Sequence, residues 1–322
     1  MGENSSIQWT DHTFNPWTRC TKVVGSPACD HCYAEQWANR AKHPTAPDGR
    51  ALPLWGVDAP RNPTTTQNWR QPVKWNREAE QAGKRARVFC ASLADVFEDH
   101  PAIDASGARA RLFALIEATP MLDWQLLTKR PENMVRFAPA SWAKAWPTNV
   151  WAGCTVEDQP SADKRIPHLL RVPAVVRFLS MEPLLGPVNL HPWLCKHGNP
   201  ARPEQQMSSF CDAADVLHWI IIGGESGPKA RPFDLAWARA IMKQADDAGC
   251  AVFMKQLGAR PLIESRTPTD EDKTEYRAKR GRRGTLDAIE TYLALTDSHG
   301  GDPSEWPADL QGRRAFPVAR TP

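Results

Sequence analysis

The chain has 322 residues, of which 41% are hydrophobic and 24% charged, with a formal net charge of +3. These proportions describe a folded, water-soluble protein with ample material for a buried core, arranged as one large α/β barrel or two ordinary domains, so stability does not demand disulfides. The longest apolar runs, such as Trp219 to Ile222, are far too short to cross a bilayer, which excludes a transmembrane helix, and the small net charge does not by itself announce a nucleic-acid binder.

At the N-terminus, Met1 to Ser6 offers neither a basic leader nor an apolar stretch, so no secretory signal is read and a cytoplasmic, reducing location is expected. In that setting the eight cysteines are thiols or metal ligands rather than a disulfide framework. Cys20, Cys29 and Cys32 follow a C-x8-C-x2-C spacing. Two thiolates two residues apart reach one metal or neighbouring irons from a tight turn, and the third comes from a loop closed by Gly25 and Pro27. Two chemistries fit. Structural zinc wants a fourth ligand, which His31 or His12 can supply. A four-iron four-sulfur cluster held by three thiolates leaves one iron open to chelate S-adenosylmethionine.

Residues 41–75, rich in Pro, Thr, Trp and Gly, read as a long ordered loop. From residue 85 onward, short apolar runs alternate with helix-like stretches. The runs are Val88 to Ser92, Trp124 to Thr128, Val150 to Thr155, Val175 to Ser180, His218 to Gly223 and Ala251 to Lys255. Ala105 to Ala118 and Asp234 to Ala248 carry apolar residues at helical spacing. Such alternation predicts an α/β fold with a parallel sheet closed into a partial (β/α) barrel. The runs end in polar residues: Ser92 and Asp95, then Lys129 and Arg130, Thr155 and Glu157, Ser180 and Glu182, Gly224 and Glu225, and finally Lys255 and Gln256. In parallel barrels the carboxyl ends of the strands build the active-site face, so six strands point at one site.

Residues 190–217 read as an insertion in which Cys195, His197 and Cys211 form a weak metal-capable set. Cys90, Cys154 and Cys250 sit inside or beside apolar runs and read as core. Gly223 to Gly227 lacks the endings of a triphosphate or dinucleotide loop and reads as a place of close backbone approach. The chain divides into a barrel over 1–260 and a basic linker with a C-terminal tail over 261–322. The linker carries Arg277, Lys279, Arg280, Arg282 and Arg283, and the tail, Trp306 to Pro317, packs back on the barrel. Most of the fourteen tryptophans are assigned to core or walls.

Several segments together resemble a phage and bacterial group of radical-SAM-like proteins defined by a three-cysteine motif. They are Trp9-Thr10 with Asn15-Pro16-Trp17, Cys32-Tyr33-Ala34-Glu35, Leu127 to Pro131, Ser180 to Pro187, Ile221 to Gly227, and Phe253 to Gln256. The resemblance covers most of the chain. It differs from the common radical-SAM pattern in having eight residues, not three, between the first two cysteines. The resemblance implies a partial barrel of the radical SAM type, with a 4Fe-4S cluster on Cys20, Cys29 and Cys32 and S-adenosylmethionine lying across the strand ends. Ser92 and Asp95 are then placed for the methionyl amino group, and Thr155, Glu157, Ser180 and Glu182 for the ribose and carboxylate. Lys129, Arg130, Gly224, Glu225, Arg231, Lys255 and Gln256 are left for substrate. The expected reaction is radical modification of a nucleic-acid base, with isomerisation of a modified thymidine in phage DNA as one concrete form. The expected partners are that nucleic acid and an electron donor such as flavodoxin or ferredoxin, in the host cytoplasm if phage-encoded. The alternatives are a zinc-stabilised nucleic-acid-binding protein without redox chemistry and a radical SAM pyrimidine-repair lyase.

Overall fold

A computed structural model of the chain describes residues 2–194, 216–280 and 288–317. Seven strands form one sheet: β1 (His12–Thr13), β2 (Ala86–Cys90), β3 (Leu122–Thr128), β4 (Val150–Thr155), β5 (Val176–Met181), β6 (Trp219–Gly223) and β7 (Ala251–Gln256). Spatial order follows chain order, every neighbouring pair is parallel, and β1 does not pair with β7. Parallel neighbours require crossover connections, and a sheet laid down strictly in sequence with its crossovers on one face curls toward a barrel. The result is a curled, open half-barrel in a mixed α/β fold. The six expected runs are six of these strands. The seventh, β1, has only two residues and no apolar run to betray it; it is fixed by pairing His12 with Val88 and Thr13 with Phe89.

Side-chain alternation sorts the two faces. Val88 and Cys90, Trp124 and Leu126, Ala152 and Cys154, Leu179 and Met181, Ile220 and Ile222, and Val252 and Met254 point outward into the main core. There they meet apolar residues of helices Ala108–Glu117, Gln159–Leu170 and Leu235–Ala248. Cys90 and Cys154 are fully buried in that layer and Cys250 joins it, so these three thiols are packing residues. Burial pushes Cys154 and Cys250 up to about 12, which keeps them protonated and unreactive.

The inner face is aromatic. Phe89, Trp151, Phe178, Trp219 and Phe253 form a second cluster with Trp9 from the N-terminal segment. Trp219 is its hub, with ring centroids 5.9 Å from Trp151, 5.6 Å from Phe178 and 6.1 Å from both Trp9 and Phe253. The tail completes it. Met254 donates to the Arg313 carbonyl and Ala315 to the Val252 carbonyl, so residues 313–315 run beside the free edge of β7. Phe316 then inserts 5.5 Å from Trp219, and the Arg87 guanidinium of β2 stacks 3.9 Å above its ring. Residues 313–316 thus pack against the inner aromatic cluster beside the free edge of β7.

Several expectations change. Residues 41–75 are not one loop, because helix Thr66–Gln81 starts inside them, capped by Thr65 and burying Trp69 and Trp75. Pro72 hides that helix from pattern reading, yet it sits in the second turn of a helix that remains continuous around it. The helix over 105–118 is two helices, Pro101–Ala105 and Ala108–Glu117, parted by Gly107 in the left-handed conformation at φ 65°. The polar segment after 261 begins as strand Pro261–Arg266, which pairs with Phe233–Asp234 and Ile289–Tyr292, and continues as helix Asp270–Arg280. Cys195, His197 and Cys211 lie outside the described residues, as do the side chains of the basic run at 277–283. Among the described residues, no helix is long and apolar enough to cross a membrane.

Gly153 on β4 faces the Phe178 ring so closely that an added Cβ would lie 2.3 Å from it. Phe178 is fully buried and cannot yield. Gly153→Ala is therefore expected to cost about 1–3 kcal/mol, seen as a lower urea midpoint at unchanged slope.

Candidate functional site

Above the aromatic layer the inner face turns polar, and the strand ends enclose a cavity of about 1250 Å³. Trp9, Phe89 and Leu127 form its floor, and Cys20, Cys29 and Cys32 all line it. So do Ser92, Asp95, Lys129, Arg130, Thr155, Ser180, Glu182, Gly224, Glu225, Lys255 and Gln256. Glu157 and Arg231, also expected at the site, do not line the cavity.

The cysteine segment is held from the strand ends by carboxylates. After β2, Asp95 accepts from Thr128 Oγ1 at 2.6 Å, from the Lys129 amide at 3.2 Å and from Arg130 Nη1 at 2.9 Å. The same Arg130 Nη1 lies 3.6 Å from Cys20 Sγ, while Nη2 donates to the Thr21 carbonyl at 2.6 Å. After β4, the fully buried Glu157 accepts from Ser26 Oγ and, at 2.6 Å, from Arg165. After β6, Glu225 meets His31 Nδ1 at 3.1 Å and is paired with Arg231, whose Nη1 donates to the Pro27 carbonyl at 3.0 Å. Glu157 is therefore sealed beneath the loop instead of reaching a ribose. Glu225, on the cavity wall, and Arg231 both bond to the turn carrying Cys29 and Cys32, and Asp95 is saturated by protein donors.

A fourth carboxylate, absent from the sequence expectations, anchors the first cysteine. Glu98 accepts from the Thr21 amide at 2.8 Å and from Arg61 Nε and Nη2 at 2.8 and 2.6 Å. Arg61 also donates to Thr21 Oγ1 and to the carbonyls of Gly56 and Ala59. Both side chains are at most 2% exposed. No spacing rule joins residues 61 and 98; only their folded contact shows the pair. The N-terminal stretch Ser5 to Gln8 and the segment Asp297 to Asp302 also line the cavity and were equally illegible.

Electrostatics differ among the groups. Burial, with the Glu98 and Asp95 charges nearby, pushes the Cys20 thiol up to about 12, against an opposing pull from Arg130. For Glu225, burial raises the pKa, but the hydrogen bonds from Arg231 and His31 outweigh it and hold the carboxyl below its ordinary 4.5. Glu182 and Lys255 form an ion pair on the cavity wall. Gly224 admits no side chain, since a Cβ there would lie 2.3 Å from the Leu257 carbonyl oxygen, and its own carbonyl accepts from Gln256 Nε2 at 2.9 Å. The hydroxyls of Thr155 and Ser180 reach the cavity with no protein hydrogen-bond partner among the described residues.

Cys29 ends a short 3₁₀ turn and Cys32 caps helix Tyr33–Ala38. None of the three cysteines is in a disulfide. Among the described residues, no three His, Cys, Asp or Glu side chains are gathered as a ligand group. The donor chemistry of three free thiols on one cavity nevertheless suits a thiophilic metal or an iron–sulfur cluster.

A family model described as "Protein of unknown function (DUF5131)" matches residues 4–285. The chain belongs to this family. No curated protein and no solved structure matches the chain. The DUF5131 match spans the cysteine segment and all seven strands of the half-barrel, so the cavity lies within the family region except for Gly2 and the segment at 297–302.

Two outcomes follow from the anchors of this DUF5131 chain. Arg61→Ala strands the buried Glu98 carboxylate and is expected to cost about 3–5 kcal/mol of unfolding free energy in denaturant titration. Because folding lowers the Glu225 pKa, its pair contributes stability above the unfolded-state value and loses it as pH falls through the folded-state value. Glu225→Gln should therefore flatten the acid limb of a plot of thermal midpoint against pH.

Proposed function

We propose that this chain is a radical S-adenosylmethionine enzyme that holds a 4Fe-4S cluster through Cys20, Cys29 and Cys32 and modifies a nucleic-acid base. The observation that carries the proposal is the meeting of all three cysteines with the polar ends of the parallel strands in one cavity of about 1250 Å³. Pockets for single drug-sized ligands run to roughly 300–1000 Å³, so this one has room for a cofactor and a substrate side by side. When bound, such a cluster supplies the electron that starts radical chemistry from S-adenosylmethionine, delivered by a donor such as flavodoxin or ferredoxin.

The chain's own residues divide the remaining work. The Thr155 and Ser180 hydroxyls are available to the ribose, and the Glu182–Lys255 pair presents both charges to a zwitterionic methionyl end. Lys129, which follows β3 and lines the cavity, is left to meet phosphate or base. The apolar floor of Trp9, Phe89 and Leu127 excludes water from below. A base in a duplex must leave its stack to reach such a cavity, and a modified thymidine in phage DNA, rearranged by hydrogen abstraction and return, is the substrate favoured by the resemblance.

Anaerobic reconstitution with iron and sulfide tests the proposal. The brown protein is expected to cleave S-adenosylmethionine to 5'-deoxyadenosine on reduction, and mass spectrometry of DNA from cells with and without an active copy should reveal the altered base. Cys29→Ala should abolish iron loading and Cys250→Ala, in the outer core, should leave it intact. Colourless protein with stoichiometric zinc, or equal iron in both variants, would overturn the proposal.

A further inference from the structure

Resting on the cluster reading above, we infer that Arg130 sets the reduction potential of the cluster by donating a hydrogen bond to the Cys20 sulfur, with Asp95 limiting how much positive charge it presents. Arg130 reaches Cys20 in a fixed fork. Its Nη1 is shared between Cys20 Sγ at 3.6 Å and Asp95 Oδ2 at 2.9 Å, and its Nη2 is tied to the Thr21 carbonyl at 2.6 Å. The guanidinium is about 13% exposed and the Asp95 carboxylate 8%, so solvent screens neither strongly. Asp95 is itself immobilised by Thr128 Oγ1 and two backbone amides, those of Phe97 and Lys129. The charge beside the sulfur is therefore fixed in place.

A donor to a ligating sulfur draws off electron density and favours the reduced cluster, which carries one more negative charge; hydrogen bonds to sulfur and net charge are established levers on cluster potential. Removing the guanidinium should make the potential more negative. Removing the Asp95 charge while keeping its shape leaves the guanidinium uncompensated and should make it less negative. A residue that only braced the loop would not give shifts of opposite sign. Arg130 is in this sense a positioning and tuning residue, since it acts through Cys20.

The experiment is an EPR-monitored redox titration of reconstituted full-length protein as wild type, Arg130→Gln, Arg130→Lys and Asp95→Asn, each with iron and sulfide content measured. Arg130→Gln is expected to shift the midpoint downward, Asp95→Asn upward, and Arg130→Lys, which keeps the charge without the fork, downward by less than Arg130→Gln. Iron-loaded variants with the wild-type midpoint, or with shifts of one sign throughout, would overturn the inference and leave the cluster reading standing. Should Arg130→Gln fail to load iron, the Asp95→Asn and Arg130→Lys midpoints decide. Wild-type protein that takes up no iron would overturn the cluster reading itself, and this inference with it.

Discussion

The buried Glu98–Arg61 pair is the constraint on which the site's first cysteine depends. Two charges at most 2% exposed are expensive to remove from water, and their mutual attraction offsets that only if the remaining donors and acceptors are also satisfied. Here they are, by the Thr21 amide and hydroxyl and by the carbonyls of Gly56 and Ala59. The backbone on either side is fixed as well. Arg109 donates to the Val96 and Glu98 carbonyls, and the Gly56 amide donates to the Cys20 carbonyl. Arg19, just before Cys20, is held at φ 82°, a conformation that an arginine adopts only when its surroundings demand it.

The other anchors extend this arrangement by a rule that runs around the sheet. Asp95, Glu157 and Glu225 follow β2, β4 and β6, and they secure the cysteine segment at Cys20 and Thr21, at Ser26, and at Pro27 and His31 respectively. Thr155 on β4, Ser180 on β5, Glu182 just after it and Lys255 on β7 instead face the open cavity. The strand ends thus supply both groups that hold the loop and groups that face the open cavity, because they all converge on the same opening.

Much of this frame was legible in the sequence because it rests on local pattern. The six apolar runs are continuous and β-branched or aromatic, as buried parallel strands must be, and their polar ends do meet. Cys20, Cys29 and Cys32 line one cavity for an equally local reason, since all three lie on one short segment. What escaped was non-local. β1 is too short to show a period, and the Glu98–Arg61 pair joins residues 37 apart. The contacts of Glu157 and Glu225 with the cysteine segment also escaped, because sequence shows that a carboxylate ends a strand and not whether a loop will fold down to meet it. The seam between β1 and β7 is likewise closed by Phe316 and Arg87, 229 positions apart by subtraction of their numbers, through a contact no window contains.

The pairing of Asp95, Glu157 and Glu225 each with its own arginine has an electrostatic reason. A bare carboxylate about 4 Å from a thiol opposes thiolate formation by roughly 1–4 kcal/mol in a partly screened site, and three of them around one loop would keep sulfur protonated and unable to ligate anything. Arg130, Arg165 and Arg231 cancel Asp95, Glu157 and Glu225 one for one. Of the three arginines, Arg130 and Arg231 also spend a second nitrogen on a loop carbonyl, Thr21 or Pro27. The same guanidinium thus neutralises the anchor and completes it, which a lysine ammonium, lacking the planar fork, does less well. The anchors at Ser26 and Pro27 are thus charge-paired, whereas at Cys20 burial and the Glu98 and Asp95 charges still raise the thiol against the pull of Arg130.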